Sequence, residues 1–520
     1  MRLSKLFKNA PTVNITGLSF DSRTVRPGNI YFCLPGLTND GHDFIDSAIK
    51  NGAVCIVHSK ELLNMAPGAV YIRVEDVNDA MNKVARIFYA KPSDKLKMYG
   101  VTGTNGKSTI TNIIRDIIND KTPCGYIGTI AIKYGDIELQ PNLTTPDALF
   151  LQSKLADMVR CGMKACALEV SSHGLAQHRV DGISFDCAIF TNLTYDHLDF
   201  HGTMENYFEA KTLLFKNLVK EDGVSVINKD DEKYGALKDC SKARVISYAI
   251  NSEADYRAIN IKMSSQGTQF DLVYSGHMYS VKTNLVGNFN VYNLLAAIAA
   301  LNETGYDLEK IIEKCAHIAQ VEGRMERIDC GQPYNVIVDF AHTPDGMEKM
   351  MQFGRSVTMP GHRLIAVFGS AGKRDVHKRK VFGELADKYC DYIIVTEDDP
   401  RDEDPKEIAE QINILGDDGV PVEYHVIFWK SELIDFVILQ QDAFDEVDSV
   451  TPMERQEAIL NMIIDICHTE FEFENFNEVM DYFKKMINVC KQMNYSKFKS
   501  EQYEGFQQQL KELIAERSVK

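Results

Sequence analysis

The segment Val101-Thr-Gly-Thr-Asn-Gly-Lys-Ser-Thr109 brings together residue types suited to holding a phosphate chain. Gly103 and Gly106 let the backbone come close to phosphate oxygens. Lys107 adds a cation for the outer phosphates, and Ser108 offers a hydroxyl to Mg²⁺. The flanks support the chemistry. Lys97–Val101 reads as a short strand and Ile110–Ile118 as a helix, so backbone N–H groups and a helix dipole point at one spot. Thr104, Asn105 and Thr109 complete the turn. The usual spacing places a further glycine where Val101 stands, so this is a variant P-loop.

Other polar clusters follow apolar runs, which places them at strand ends. Glu169-Val-Ser-Ser-His-Gly comes after Ala165–Leu168, where a nucleotide fold holds its Mg²⁺ with a carboxylate. Thr191-Asn-Leu-Thr-Tyr-Asp-His-Leu-Asp-Phe-His-Gly follows Cys187–Phe190 and supplies oxygen and nitrogen donors, His197 among them. Asp339-Phe-Ala-His-Thr-Pro-Asp, Gly372-Lys-Arg-Asp and Asp398-Asp-Pro-Arg end three more runs. Five such ends in register would form one site. Arg324, in Gly323-Arg-Met-Glu, can reach a γ-phosphate. Asn290 and Asn293 are open to two readings, as helix caps or as readers of an adenine edge. Lys211, in Tyr207-Phe-Glu-Ala-Lys-Thr, taken by itself reads as a solvated helix lysine.

The elements that must position these groups follow a strand–helix alternation. Residues 1–92 form an α/β unit with strands at Ile30–Leu34, Ala53–Val57 and Val70–Val74. Residues 93–325 form a central α/β unit on a parallel sheet, with an Ala-rich helix over Asn288–Leu301. A third unit spans 326–520, with strands at Val336–Phe340, Leu364–Gly369 and Tyr392–Thr396. From about 440 the pattern becomes helical and acidic, with apolar periodicity in Ala458–Cys467, Phe476–Met493 and Phe506–Ile514. The chain has 520 residues, of which 44% are hydrophobic, and a net charge of −17. That charge and the lack of a basic stripe argue against nucleic-acid binding. No apolar run is long enough to span a membrane, and the N-terminus carries no secretory pattern. The twelve cysteines are scattered with no Cys-x-x-Cys, as expected of free thiols in the cytoplasm.

Taken together and in order, these motifs resemble the Mur ligase family, in its branch that adds the third residue to a UDP-N-acetylmuramoyl dipeptide. The resemblance rests on Asp21-Ser-Arg, Pro35-Gly, Asp40-Gly-His, Thr102-Gly-Thr-Asn-Gly-Lys-Ser, Thr144-Thr-Pro, Glu169-Val-Ser-Ser-His-Gly-Leu with Gln177 and Arg179, Asp196-His-Leu-Asp-Phe-His-Gly, Ala210-Lys211, Gly323-Arg-Met-Glu, Asp339-Phe-Ala-His-Thr-Pro-Asp and Asp398-Asp-Pro-Arg. It implies a UDP-binding domain, an ATP-binding domain and an amino-acid-binding domain, in a chain that acts as a monomer. It implies Ser22 at the UDP moiety, and Thr144, Thr145, Ser171, Gln177 and Arg179 at the muramoyl peptide. ATP falls to residues 103–109, Asn290 and Asp339. Mg²⁺ falls to Ser108, Glu169, His197 and Lys211, with Lys211 carbamylated and so converted from cation to anion. Lys107, Lys211, His197 and Arg324 are the implied catalytic group. Arg374, Asp398, Asp399, Pro400 and Arg401 are implied to hold the incoming amino acid.

Arg401 favours meso-diaminopimelate over L-lysine, because a guanidinium can grip that substrate's second carboxylate. Two departures bear on the same substrate. Asp399 stands where diaminopimelate-adding members usually carry Asn, and their Gly-Lys-Gly-His-Glu segment is absent. The alternatives are a folylpolyglutamate-type ligase and a paralogue that binds the UDP-muramoyl peptide without extending it or with altered specificity. The first lacks the Asp-Ser-Arg, Thr-Thr-Pro and Ser-Ser-His-Gly segments present here.

Overall fold

A computed structural model describes residues 1–36, 39–62, 65–264, 266–373, 376–412, 422–439, 445, 447–448 and 450–518. The chain divides into two compact units, residues 1–405 and 406–520.

The first unit opens with a four-stranded parallel sheet. Its strands are β1 (Gly17–Ser19), β2 (Asn29–Phe32), β3 (Ala53–His58) and β4 (Val70–Arg73), in that spatial order. Strand β2 is buried on both faces, and its alternation sorts two cores. Ile30 and Phe32 face helix α2 (Val77–Phe88), whose Val77, Ala80, Met81, Val84 and Ala85 recur at helical spacing. Tyr31 and Cys33 face helix α1 (Ile45–Lys50). Asp76 caps α2 by accepting hydrogen bonds from the Asn78 and Asp79 N–H groups.

Next comes an eleven-stranded mixed sheet. Its strands and helices, in chain order, are β5 (Lys97–Thr102), α3 (Lys107–Ile118), β6 (Cys124–Ile127), β7 (Ile132–Tyr134), β8 (Ile137–Leu139), α4 (Ala148–Arg160), β9 (Ala165–Glu169), α5 (Ser172–Ala176), β10 (Phe185–Phe190), α6 (Leu198–His201), α7 (Met204–Leu213), β11 (Val219–Asn228), α8 (Tyr234–Cys240), β12 (Arg244–Ala249), β13 (Tyr256–Ser264), β14 (Gly267–Tyr274), β15 (His277–Thr283), α9 (Asn288–Glu303) and α10 (Leu308–Cys315). The spatial order is β15-β14-β13-β12-β11-β10-β5-β9-β6-β7-β8. The middle of the sheet is parallel, as expected, and antiparallel pairs close both edges. Three strands, β6, β7 and β8, lie in the chain between β5 and β9, where the sequence suggested none. Their short, mixed sequences carried no clear strand signal. Helices α3 and α9 cover one face, where the Ala296–Ala300 run lets α9 lie close to the sheet. Helix α4 and residues of α5 and α7 cover the other. The chain leaves β9 and crosses to β10 on the far side of β5. The P-loop therefore sits beside the point where strand order reverses, the usual crevice for a ligand in an open α/β sheet.

Beyond the central sheet lie β16 (Glu326–Ile328), β17 (Val336–Val338), α11 (Pro344–Val357), β18 (Ile365–Phe368), α12 (His377–Tyr389) and β19 (Tyr392–Val395). Here two expectations need correction. Asp339 does not close a buried parallel strand, because β17 pairs antiparallel with β16 in a two-stranded ribbon and leaves Val338 45% exposed. Ile337 packs against Val286, Met325 and Phe353, while Val338 on the other face stays open. The strand ends do not share one register either. β5, β9 and β10 belong to the large sheet, whereas β17 and the parallel pair β18–β19 belong to two separate small sheets.

The second unit is helical in its described residues: α13 (Pro405–Ile412, its first residue in the first unit), α14 (Val422–Ile434, continuing in a wider turn to Leu439), α15 (Met453–His468), α16 (Phe476–Asn494) and α17 (Glu501–Arg517). Ile459, Ile463, Phe483, Met486, Met493 and Leu510 form its core. Helix thus begins well before position 440. The apolar run after Val422 has no alternation to tell strand from helix, and its length decides for helix. No described helix is long and apolar enough to cross a membrane. None of the twelve cysteines forms a disulfide.

Candidate active site

The P-loop turn is built around two residues that only glycine can fill. Gly103 has φ +145°, and a Cβ there would lie 1.8 Å from the Thr191 Oγ1. Gly106 has φ +92°, and its Cβ would lie 2.5 Å from the Asn293 Oδ1. Gly106 caps α3 without a side chain, leaving the first N–H groups of the helix to an anion. Around this turn Thr191 Oγ1 donates to the Asn105 carbonyl at 2.6 Å, and Asn105 N–H donates to the Asn192 Oδ1 at 3.0 Å. Asn105 Nδ2 reaches Asp345 Oδ2 at 3.0 Å, which ties the loop to the start of α11. Thr109 is buried in the first turn of α3.

The Lys107 ammonium folds back over the turn and donates to the carbonyls of Gly103 (3.0 Å) and Thr104 (2.8 Å). Burial pushes its pKa down, with the Arg324 charge in the same direction and Glu169 and Asp196 opposing. Ser108 Oγ donates to Glu169 Oε2 at 3.0 Å, and Arg324 reaches that hydroxyl at 3.4 Å. The Glu169 carboxylate is fully buried and also accepts from Tyr126 OH (2.7 Å), Thr129 N–H (3.0 Å) and Thr129 Oγ1 (3.1 Å). Tyr126 and Thr129 were not legible as site residues, because they lie on and just after β6, outside every polar motif.

A second group faces the loop from α5–α7. His197 stands in the left-handed region at φ +54° and lies 3.3 Å from the Asp196 carboxylate. Burial holds its pKa down at about 4, against the pull of Asp196, so the ring is neutral near pH 7. The His173 ring stacks edge-on at 4.8 Å. Lys211 is 1% exposed, which overturns the solvated-lysine reading. The face of α7 that carries it turns inward with Tyr207 and Phe208. Its Nζ lies over the Tyr207 ring at 4.3 Å, and no carboxylate among the described residues forms an ion pair with it. Burial, reinforced by the Lys107 charge and only partly offset by Asp196, pushes its pKa well below the lysine range. Tyr207 OH lies 3.2 Å from Thr104 Oγ1 and joins this group to the P-loop.

Thr144, Thr145, Ser171, Gln177 and Arg179 come together as one network next to Glu169. Thr129 Oγ1 donates to Thr144 Oγ1 at 3.0 Å, and Thr145 Oγ1 donates to the Glu169 carbonyl at 2.8 Å. Ser171 N–H donates back to Thr145 Oγ1 at 2.9 Å, Arg179 donates to the Thr145 carbonyl at 2.9 Å, and Arg179 also holds the Gln177 amide oxygen. Asn290 is no helix cap. Its Nδ2 donates to the Val286 carbonyl at 2.8 Å, its Oδ1 accepts from Asn293, and it lines a cavity of about 310 Å³ with Asn284, Gln320, Met325, Arg327 and Ile337. Asp339 Oδ2 accepts from the Met325 N–H at 2.7 Å, which fixes the backbone beside Arg324, and burial pushes its pKa up.

Asp398–Arg401 form a separate loop. The Asp399 carbonyl accepts from Gly372 N–H at 2.9 Å, and Arg401 Nε lies 3.3 Å from the Asp399 carboxylate. Asp399 and Arg401 both hold left-handed backbones, at φ +43° and +56°. Arg374 lies outside the described residues. Ser22 is buried in a short turn, where its carbonyl accepts from Asn51 Nδ2 at 2.8 Å. Among the described residues no hydrogen bond joins Ser22 or Asp398–Arg401 to the P-loop group, and no three His, Cys, Asp or Glu side chains converge as a ready metal cluster. The donors beside the loop are instead one hydroxyl and one buried carboxylate. Mg²⁺ takes one or two protein oxygens and completes its shell with phosphate and water, so this pair fits it.

The fold and site define an α/β protein with a P-loop-type phosphate-binding turn, and the sequence comparisons assign its family. The chain belongs to the Mur ligase family. It matches the Mur ligase family catalytic domain over residues 14–89, the Mur ligase middle domain over 101–301 and the Mur ligase glutamate ligase domain over 323–447. It is 44% identical over 418 residues to UDP-N-acetylmuramoyl-L-alanyl-D-glutamate--2,6-diaminopimelate ligase 1 of Clostridium acetobutylicum, a match covering 79% of this chain and 85% of that one. It is 42% identical over 406 residues to the 2,6-diaminopimelate ligase of the same name from Geobacillus kaustophilus, covering 77% and 82%. A solved structure of a ligase with that name superposes with a TM-score of 0.63 at 30% identity, over 83% of this chain and 91% of that one.

Proposed function

We propose that this chain joins meso-diaminopimelate to UDP-N-acetylmuramoyl-L-alanyl-D-glutamate at the cost of ATP, in the cytoplasm and as a monomer. In this reading residues 1–92 hold the UDP moiety at Ser22, residues 93–325 hold ATP, and residues 326–520 receive the amino acid at Arg374 and Asp398–Arg401. The observation that carries it is the pairing of a P-loop serine with a buried carboxylate, Glu169, together with a buried lysine, Lys211, that forms no ion pair among the described residues.

A free carboxylate is too poor an electrophile for an amine at neutral pH. The substrate carboxylate oxygen therefore attacks the γ-phosphorus, ADP leaves, and an acyl phosphate forms. The amine then attacks the acyl carbon, loses a proton, and phosphate departs. Arg324, the free N–H groups of α3 and Lys107, once its ammonium turns from the Gly103 and Thr104 carbonyls, offset the charge on the phosphoryl oxygens. Asn290 and Asp339 are assigned to the nucleotide in this reading. Ser108 and Glu169 would hold one Mg²⁺, and His197 with a carbamylated Lys211 a second. Bound there, the ions neutralise phosphate charge. Carbamylation suits Lys211 because burial favours the neutral amine. The neutral amine nitrogen attacks CO₂, one proton is released to solvent, and a carbamate anion replaces the neutral amine.

The test is ADP release with UDP-N-acetylmuramoyl-L-alanyl-D-glutamate, ATP, Mg²⁺ and a panel of amino acids. Turnover with meso-diaminopimelate and none with L-lysine is expected. Use of lysine alone overturns the substrate assignment. Tight binding of the UDP-dipeptide with no turnover on any amino acid overturns the reaction.

A further inference from the structure

The loop carrying Gln177 and Arg179 is held by a helix of the N-terminal sheet. His178, between them, adopts φ +57°, a left-handed conformation that disfavours a non-glycine residue and needs outside support. Besides the His178–Asp181 pair at 2.7 Å and the backbone bonds that end α5, that support comes from Asn82 on α2, which is 3% exposed. Its Nδ2 donates to the His178 carbonyl at 2.8 Å, and its Oδ1 accepts from the Gly182 N–H at 3.1 Å. One amide thus closes both ends of the 178–182 turn. A second amide reinforces it: Gln152 on α4, 1% exposed, donates to the Gly182 carbonyl at 3.0 Å.

Helix α4 starts directly after Thr144-Thr145-Pro146, with Asp147 as its cap. Its first residues, Ala148 and Leu149, pack in the same apolar core as Val77, Ala80, Met81 and Val84 of α2. Arg179 closes the circuit by donating to the Thr145 carbonyl. The N-terminal helix therefore grips both segments assigned to the muramoyl peptide, one by a hydrogen-bonded clamp and one through shared core.

We propose that Asn82, seconded by Gln152, is a positioning residue for the peptide portion of the nucleotide substrate, setting the register of Gln177 and Arg179 against Thr144 and Thr145 from the domain that binds the UDP end. This rests on the assignment of those four residues to the muramoyl peptide. The clamp ties the segments assigned to the peptide to the helix that packs on the N-terminal sheet.

The experiment uses the full chain and three variants, Asn82→Asp, Gln152→Met and Arg179→Ala, in ADP-release kinetics with the UDP-dipeptide and ATP varied in turn. Inhibition by UDP alone and a thermal melt accompany it. Asn82→Asp keeps the shape and the acceptor for Gly182 but turns a lone pair toward the His178 carbonyl. It should raise the KM for the UDP-dipeptide about tenfold, leaving the KM for ATP and the inhibition by UDP within about twofold. Gln152→Met should move the same constant by a smaller factor. Should Asn82→Asp not fold, the Gln152→Met result decides alone. Equal weakening of ATP, UDP and UDP-dipeptide would mark a general brace and overturn the proposal. So would an unchanged KM for the UDP-dipeptide in the clamp variants while Arg179→Ala raises it. An unchanged value in Arg179→Ala as well would show that the peptide assignment itself has failed.

Discussion

Replacing Lys107 with Met separates chemistry from folding. In the resting structure the ammonium makes two hydrogen bonds, to the Gly103 and Thr104 carbonyls, at 3.0 and 2.8 Å. Each charge-assisted bond contributes about 1.5–3 kcal/mol in gross terms. Against that stands the cost of keeping an ammonium away from water, and its lowered pKa shows that burial works against the charge here. An apolar side chain of similar shape removes both contributions, so the net change in stability should lie within about 2 kcal/mol of zero. Turnover has no such compensation. A lost donor at an oxygen that gains charge in the transition state costs about 2.7–4 kcal/mol, or about 100- to 1000-fold in rate. The loss should fall mainly in kcat, because the same lysine meets less charge in the ground state. ADP release and a thermal melt on the same preparation make the comparison. A folded Lys107→Met variant within about tenfold of the parent refutes the catalytic assignment. A melt lowered by more than about 10 °C refutes the stability argument and makes Lys107 a structural residue.

Lys211→Ala should abolish turnover in a folded protein, and a short carboxylic acid added to the assay should restore part of it by occupying the space of the carbamate. A fully active alanine variant would remove Lys211 from the site. Arg401→Ala should raise the KM for meso-diaminopimelate at least tenfold and change that for ATP by less than about twofold, consistent with one lost bidentate contact; equal effects on both would refute the contact. Asp40 gives a pH prediction. Burial raises its pKa, but Lys60 and His42 outweigh that and hold the carboxyl well below the usual range. A depressed folded pKa means the stabilisation is present above the unfolded value of about 3.9 and is lost as pH falls through the folded one. Asp40→Asn should therefore lower the melting temperature at pH 7, by the equivalent of about 0.5–1 kcal/mol, and the deficit should shrink below pH 4; a deficit constant from pH 7 to 3 would refute it.

The sequence by itself determined the phosphate-binding turn, because Gly103, Gly106, Lys107 and Ser108 are local chemistry at fixed spacing between a strand and a helix. It also determined the apolar strands leading to Glu169 and Thr191, whose buried runs admit few other conformations, and the long helices of the second unit, whose periodicity spans several turns. Tertiary structure alone decided the state of Lys211. Whether a helix lysine faces water depends on which side of α7 packs against the sheet, and Tyr207 and Phe208 beside it give weak local guidance. The same holds for Tyr126 and Thr129, which have no motif of their own and matter only because β6 pairs with β9 and brings them to a buried carboxylate. Asp339 shows the limit from the other side. Val336–Val338 reads as a core strand, yet burial is a property of the partners a strand finds, and among the described residues this one pairs with β16 alone. Asn82 is the extreme case: a polar residue on an amphipathic helix, silent in sequence, made significant by two hydrogen bonds to a loop far along the chain. Chemistry confined to a turn is written in consecutive residues. Chemistry that depends on desolvation, or on an amide meeting a distant backbone, exists only once the chain has folded.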